Sequence, residues 1–160
     1  MKAVFSLRRL AAASVLLLVC PTVARAAVTC TISTTSLNFG ATYNVFSATP
    51  TDSLATITYS CSGNPFPNAG VPIRIALGAG GSGNFDDRTM TGPDAIHYNL
   101  FQDASRTVVW GDTAATDLDL VVSKANRGAN LTATVYGRVP AQQDVGAGSY
   151  SDTITVTVIY

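Results

Sequence analysis

A period-two alternation of apolar and polar side chains recurs along this chain. In residues 54–61, Ala55, Ile57, Tyr59 and Cys61 fall on one face and Thr56, Thr58 and Ser60 on the other, as in a strand buried on one side. Residues 71–77 set Val71, Ile73, Ile75 and Leu77 against Pro72, Arg74 and Ala76, with the early proline suited to a strand start or a sheet edge. Residues 131–139 repeat the pattern, with Leu131, Ala133, Val135, Gly137 and Val139 on one side. The C-terminal run is the cleanest. Tyr150, Asp152, Ile154, Val156, Val158 and Tyr160 interleave with Ser151, Thr153, Thr155, Thr157 and Ile159, so one continuous strand is expected there, its apolar face in the core. Clusters of Gly, Asn, Pro, Asp and Ser separate these runs at 62–70, 78–84, 126–130 and 144–149, marking turns. Short strands at this spacing predict an all-β fold, a β-sandwich.

Composition sharpens the picture. Past residue 26 the chain holds nineteen Thr, and it has no Glu anywhere, which disfavours helices and suits half-buried strands. The mean hydropathy of +0.26 is explained by the beginning of the chain. Lys2, Arg8 and Arg9 precede a largely apolar run at 10–19, and Ala24-Arg25-Ala26 follows as a small-x-small cleavage site. This is the layout of a secretory signal, predicting a signal peptide at 1–26 and one domain at 27–160. The apolar run is well short of the roughly 20 residues that cross a bilayer, so no membrane span is expected.

Removal of that signal leaves six Lys or Arg against ten Asp. The positive residues are scattered without interleaved aromatics, which argues against a nucleic-acid partner. Cys20 leaves with the signal, and the remaining Cys30 and Cys61 form an even pair in an oxidising compartment, predicting one disulfide, within a sheet or between sheets. Two cysteines and the lone His97 cannot complete a four-ligand zinc site, so no metal and no cofactor are expected.

Nor is catalysis. His97 alternates with Ile96 and Tyr98 and reads as an outward strand residue. Asp86 and Asp87 are adjacent, so their carboxylates would point apart rather than share a proton. Gly78-Ala79-Gly80-Gly81-Ser82-Gly83 spells a dinucleotide-binding pattern, but Asn84-Phe85-Asp86-Asp87 follows where a helix is required, and the stretch reads as a flexible hairpin loop. No nucleophile, base and orienting group occur together.

Several segments carry a family resemblance. Cys30-Thr31-Ile32-Ser33, Leu37-Asn38-Phe39-Gly40 with Tyr43, Tyr98-Asn99-Leu100-Phe101-Gln102-Asp103 with Arg106, Val109-Trp110-Gly111-Asp112, and the terminal Gly148-Ser149-Tyr150-Ser151-Asp152-Thr153-Ile154-Thr155-Val156-Thr157-Val158 occur in the order seen in spore coat protein U domains. The chain resembles that family, which includes subunits of archaic chaperone-usher pili of the Csu type. The resemblance implies an immunoglobulin-like sandwich lacking its last strand, completed first by a periplasmic chaperone and then, at an outer-membrane usher, by a neighbouring subunit. Ile154, Val156 and Val158 would line the groove that receives this donor strand, as well as serving the core. The implied protein is a structural or adhesive pilus subunit, exported through the periplasm to the cell surface and acting in attachment and biofilm formation. The alternative is a self-sufficient secreted coat protein. Stalk subunits of the family carry an alternating extension before the first cysteine, whereas only Ala27, Val28 and Thr29 stand there after cleavage, so a distal or minor subunit is expected. Phe66 and Phe85, aromatic residues among turn residues, are the candidates for surface-binding loops.

Overall fold

A computed structural model describes residues 28–63, 70–122 and 124–160. The predicted signal peptide at 1–26 and Phe66 lie outside the described residues. Eight strands are present: β1 (Thr29–Thr34), β2 (Thr51–Ser62), β3 (Val71–Leu77), β4 (Arg88–Thr91), β5 (Ala95–Phe101), β6 (Leu118–Val122), β7 (Leu131–Val139) and β8 (Val156–Ile159). They form a five-stranded sheet in the order β1-β2-β7-β5-β4 and a three-stranded sheet in the order β6-β3-β8, with all pairings antiparallel. The two sheets make an immunoglobulin-like β-sandwich.

The core lies between the sheets and is built from the predicted inward faces. Ala55, Ile57, Tyr59 and Cys61 of β2, Ile73, Ile75 and Leu77 of β3, and Ala133, Val135 and Val139 of β7 are all buried. Trp110 is fully enclosed and its indole N–H donates to the Ile75 carbonyl at 2.7 Å, which supplies the partner that a buried indole needs. Cys30 and Cys61 are disulfide-bonded. They sit directly opposite each other on β1 and β2, so the bridge ties neighbouring strands of one sheet.

Two expectations are corrected. The C-terminal run is not one strand: Ser151 pairs with Thr91 beside the five-stranded sheet, whereas β8 pairs with β3 in the other. Between them the chain crosses from sheet to sheet, held where the Asp152 carboxylate accepts from the Gly81 N–H at 2.9 Å and the Tyr98 hydroxyl at 2.7 Å. The glycine-rich stretch at 78–83 is not a hairpin loop either. It joins β3 to β4, which lie in different sheets, and contains a short 3-10 turn at Gly80–Ser82. Gly80 is required there, because its φ is +68° and a β-carbon would collide with the Asp152 carboxylate.

Arg88, like Asp117, is buried with no forewarning in the sequence pattern. It is fully enclosed, and its guanidinium donates to the carbonyls of Leu77, Gly78, Phe85 and Trp110 and to Asn99 Oδ1, at 2.7 to 3.0 Å. Burial pulls its pKa down, while Asp112, Asp152 and Asp86 oppose that effect. Because Leu77 ends β3 and Asn99 belongs to β5, Arg88 pins the two sheets together.

Candidate functional site

A groove of about 1020 Å³ opens along the sandwich, at the top of the roughly 300–1,000 Å³ range of small-molecule pockets. One wall is the extended strip at 34–43 that follows β1, and the other is the segment at 145–156 that leads into β8. Its floor is the core itself: Ile57, Leu77, Ile96, Tyr98, Leu100 and Val135 all line it.

The first wall is anchored from below. Leu37 and Phe39 lean over β7 so closely that a β-carbon on Gly137 would lie 2.8 Å from one and 2.9 Å from the other. The glycine in mid-strand thus marks a close approach. The strip is held at three points, two through its backbone and one through a side chain: the Thr35 N–H donates to the Thr56 carbonyl at 3.0 Å, Ser53 Oγ to the Asn38 carbonyl at 2.6 Å, and the Tyr43 hydroxyl to the Pro140 carbonyl at 2.7 Å. Between Ser36 and Phe39 no backbone N–H has a partner among the described residues. This stretch of the wall offers free main-chain N–H groups, bounded by Thr35 and by Gly40, whose N–H donates to Asn38 Oδ1 at 2.8 Å.

The second wall is tied to both sheets. Thr91 and Ser151 exchange backbone bonds at 2.9 and 3.0 Å, and the Gly78 N–H donates to the Thr155 carbonyl at 2.9 Å. β8 has β3 on one side and no strand on the other among the described residues. Ile154, Val156 and Val158 are half-buried and pack against the core. Ile154 and Val156 line the groove, and Val158 continues the same face beyond its lining.

One polar link crosses the floor. The Tyr98 hydroxyl donates to Asp152 Oδ2 on the second wall, while the Phe39 ring of the first wall meets the Tyr98 ring edge-on, with centroids 6.0 Å apart. Burial, reinforced by Asp152, drives the Tyr98 phenol well above its ordinary pKa, so it stays a hydroxyl donor. Sequence reasoning did not single out this pair. A signal existed, because Asp152 is the one charged residue in the apolar register of the terminal run.

The remaining candidates lie elsewhere. The Phe85 side chain is half-buried, with its ring against Gly111. His97 is exposed on β5, its Nδ1 2.7 Å from Asp87 Oδ1, and both side chains are more than half exposed. Among the described residues no group of three or more His, Cys, Asp or Glu is placed to hold a metal ion, and no helix is long and apolar enough to cross a membrane.

Comparison with known proteins agrees with this architecture. The family model of the Spore Coat Protein U domain matches residues 14–157. Protein U of Myxococcus xanthus is 33% identical over 73 residues, which are 46% of this chain and 38% of that protein. Among solved structures, a chain of the CsuC–CsuE chaperone–tip adhesion subunit pre-assembly complex, from archaic chaperone-usher Csu pili of Acinetobacter baumannii, is similar with a TM-score of 0.54 and 25% identity. That match covers 84% of this chain and 40% of the other, so the chain spans about two fifths of the length of each relative. With the family model running through nearly all the described residues and a sandwich to match, the chain belongs to the Spore Coat Protein U domain family.

Proposed function

We propose that this protein is a subunit of a chaperone-usher surface pilus and that its groove accepts a β-strand from another polypeptide. One observation carries the reading: the floor of the groove is the hydrophobic core, and its walls present main-chain groups without partners. Unpaired strand edges are templates for pairing with another chain, and strand addition supplies both main-chain bonds and pockets for alternate side chains. Ile154 and Val156 would contact the donor's inward side chains, with Val158 extending the same face. The similarity to a chain of a chaperone–subunit complex supports a periplasmic chaperone as first donor and a neighbouring subunit as the second, with exchange at an outer-membrane usher. Export through the periplasm to the cell surface, attachment and biofilm formation follow from this reading.

The test is expression for export with and without a periplasmic chaperone of the chaperone-usher class. A one-to-one complex that separates only on denaturation is expected, with the chain degraded or aggregated when made alone. A stable lone monomer that ignores the chaperone would overturn the proposal and favour a self-sufficient secreted coat protein.

A further inference from the structure

Besides Arg88, one charged residue is buried among the described residues, and it lies outside the groove lining. Asp117 stands just before β6, its side chain only 1% exposed. A tight turn puts it there. The Thr113 carbonyl accepts from the Thr116 and Asp117 N–H groups at 2.9 and 2.8 Å, and the Thr116 carbonyl accepts from the Gly111 N–H at 3.0 Å and from Gln102 Nε2 at 2.7 Å. None of these bonds reaches the carboxylate. Asp117 Oδ2 takes a single contact, from Arg74 Nη1 of β3 at 3.2 Å, and Oδ1 is buried with no hydrogen-bond partner among the described residues.

Arg74 has a second carboxylate facing it. In the β3–β6 pairing it stands directly opposite Asp119, which is exposed, and opposite charges at such positions attract across an antiparallel pair. Its guanidinium nonetheless goes to Asp117. Three carboxylates thus act on this corner, Asp112 of the turn, Asp117 and Asp119 of β6, against the single guanidinium of Arg74. Burial raises the Asp117 pKa above the ordinary 3.8; Arg74 opposes the rise, and Asp112 and Asp119 add to it.

We propose that Asp117 is a proton site that switches the ion pair at this sheet edge: as the pH falls, its Oδ1 takes a proton from solvent and Arg74 passes to Asp119 on the facing strand. The proton removes a charge that is costly to keep buried with one oxygen unmet. The released guanidinium then closes a rung between β3 and β6, so mild acid tightens this edge instead of loosening it. The folded-state pKa is the higher one, so the contribution is fully present below about 3.8 and is lost as the pH rises through the folded value.

The test is thermal melting between pH 4 and pH 7 of the full chain, with any strand donor it carries, and of near-isosteric variants. The melting temperature of Asp117→Asn, relative to the unmodified chain, should be about 3–6 °C higher at pH 7 than at pH 4, the effect of removing one unmet buried charge. Asp119→Asn reads the exchange of partners. At pH 7 it should raise the melting temperature of the unmodified chain by about 1–3 °C, by removing a negative neighbour of Asp117, and lower that of Asp117→Asn by a similar amount, by removing the new partner of Arg74. A merely structural Asp117 would give Asp119→Asn the same sign in both backgrounds. That result, or a difference between the unmodified chain and Asp117→Asn that stays constant with pH, would overturn the proposal.

Discussion

The two lateral edges of the sandwich are built from similar sequence and end differently. At one edge β1 lies along β2 from Thr29 opposite Ser62 to Thr34 opposite Ile57, with the Cys30–Cys61 bridge locking the pair. At the other, the 145–156 segment and the strip at 34–43 face each other across an open groove. Both edges carry alternating Thr and aliphatic residues. Alternation therefore tells which side of a strand is inward, but leaves open whether a neighbour in the same chain completes the sheet. Among the described residues neither β1 nor β8 has a strand on its far side, but β1 is mostly exposed, whereas Ile154, Val156 and Val158 beside the open groove pack against the core.

The largest expected break comes from the residue that joins the two sheets on which these edges lie. Replacing Arg88 with methionine strands the carbonyls of Leu77, Gly78 and Trp110 in the core. A loss of about 3–5 kcal/mol in unfolding free energy is expected, with the groove disordered as the sheets come apart, as read by denaturant titration.

Next comes the disulfide-locked edge alone. Removing both cysteines as Cys30→Ala and Cys61→Ala frees a loop spanning 31 residues, with an expected cost of about 3–4 kcal/mol on the chain-entropy account. Because the bridge stands away from the groove walls, binding of a donor strand to the folded fraction should be unchanged. A matching loss of donor binding in the folded fraction would show the two edges to be coupled.

The smallest effect is electrostatic. Asp52 on β2 receives Arg138 Nε and Nη2 at 2.7 and 2.9 Å, with Arg106 Nη1 at 3.3 Å. The hydrogen bonds from Arg138, assisted by the charge of Arg106, hold its carboxyl below the ordinary 3.8. The folded-state pKa is thus the lower one, so this contribution is present above about pH 4 and is lost as the pH falls through the folded value. Asp52→Asn should cost only about 0.5 kcal/mol at neutral pH, since the pair is partly exposed, and flatten that part of the acid unfolding profile. Donor binding should not change.

These edges also show how far the sequence could be read. The inward faces of β2, β3 and β7 follow from period two alone, because each is flanked by strands on which the same rule holds. The cysteine pair was legible from compartment and parity, yet its place within one sheet was not, since parity carries no register. Strands β4 and β6 are too short for alternation to declare them. The break in the terminal run depends on partners of Asp152 that lie 71 and 54 residues away. The burial of Arg88 likewise depends on carbonyls from three other segments. Of the groove, Ile154 and Val156 were legible as apolar positions, whereas Phe39 and Tyr98 acquire their roles only once the strip at 34–43 is laid across Gly137.

Backbone hydrogen exchange tests the central claim most directly, comparing the chain alone with the chain joined to a complementing strand. Protection of β2 and β7 should be nearly the same in both forms. The amides at 36–39 and those of β8 that face away from β3 should exchange freely in the chain alone and become as protected as β7 once the strand is in place. Equal protection of those amides in both forms would contradict the account, because the edge would then be closed without a donor.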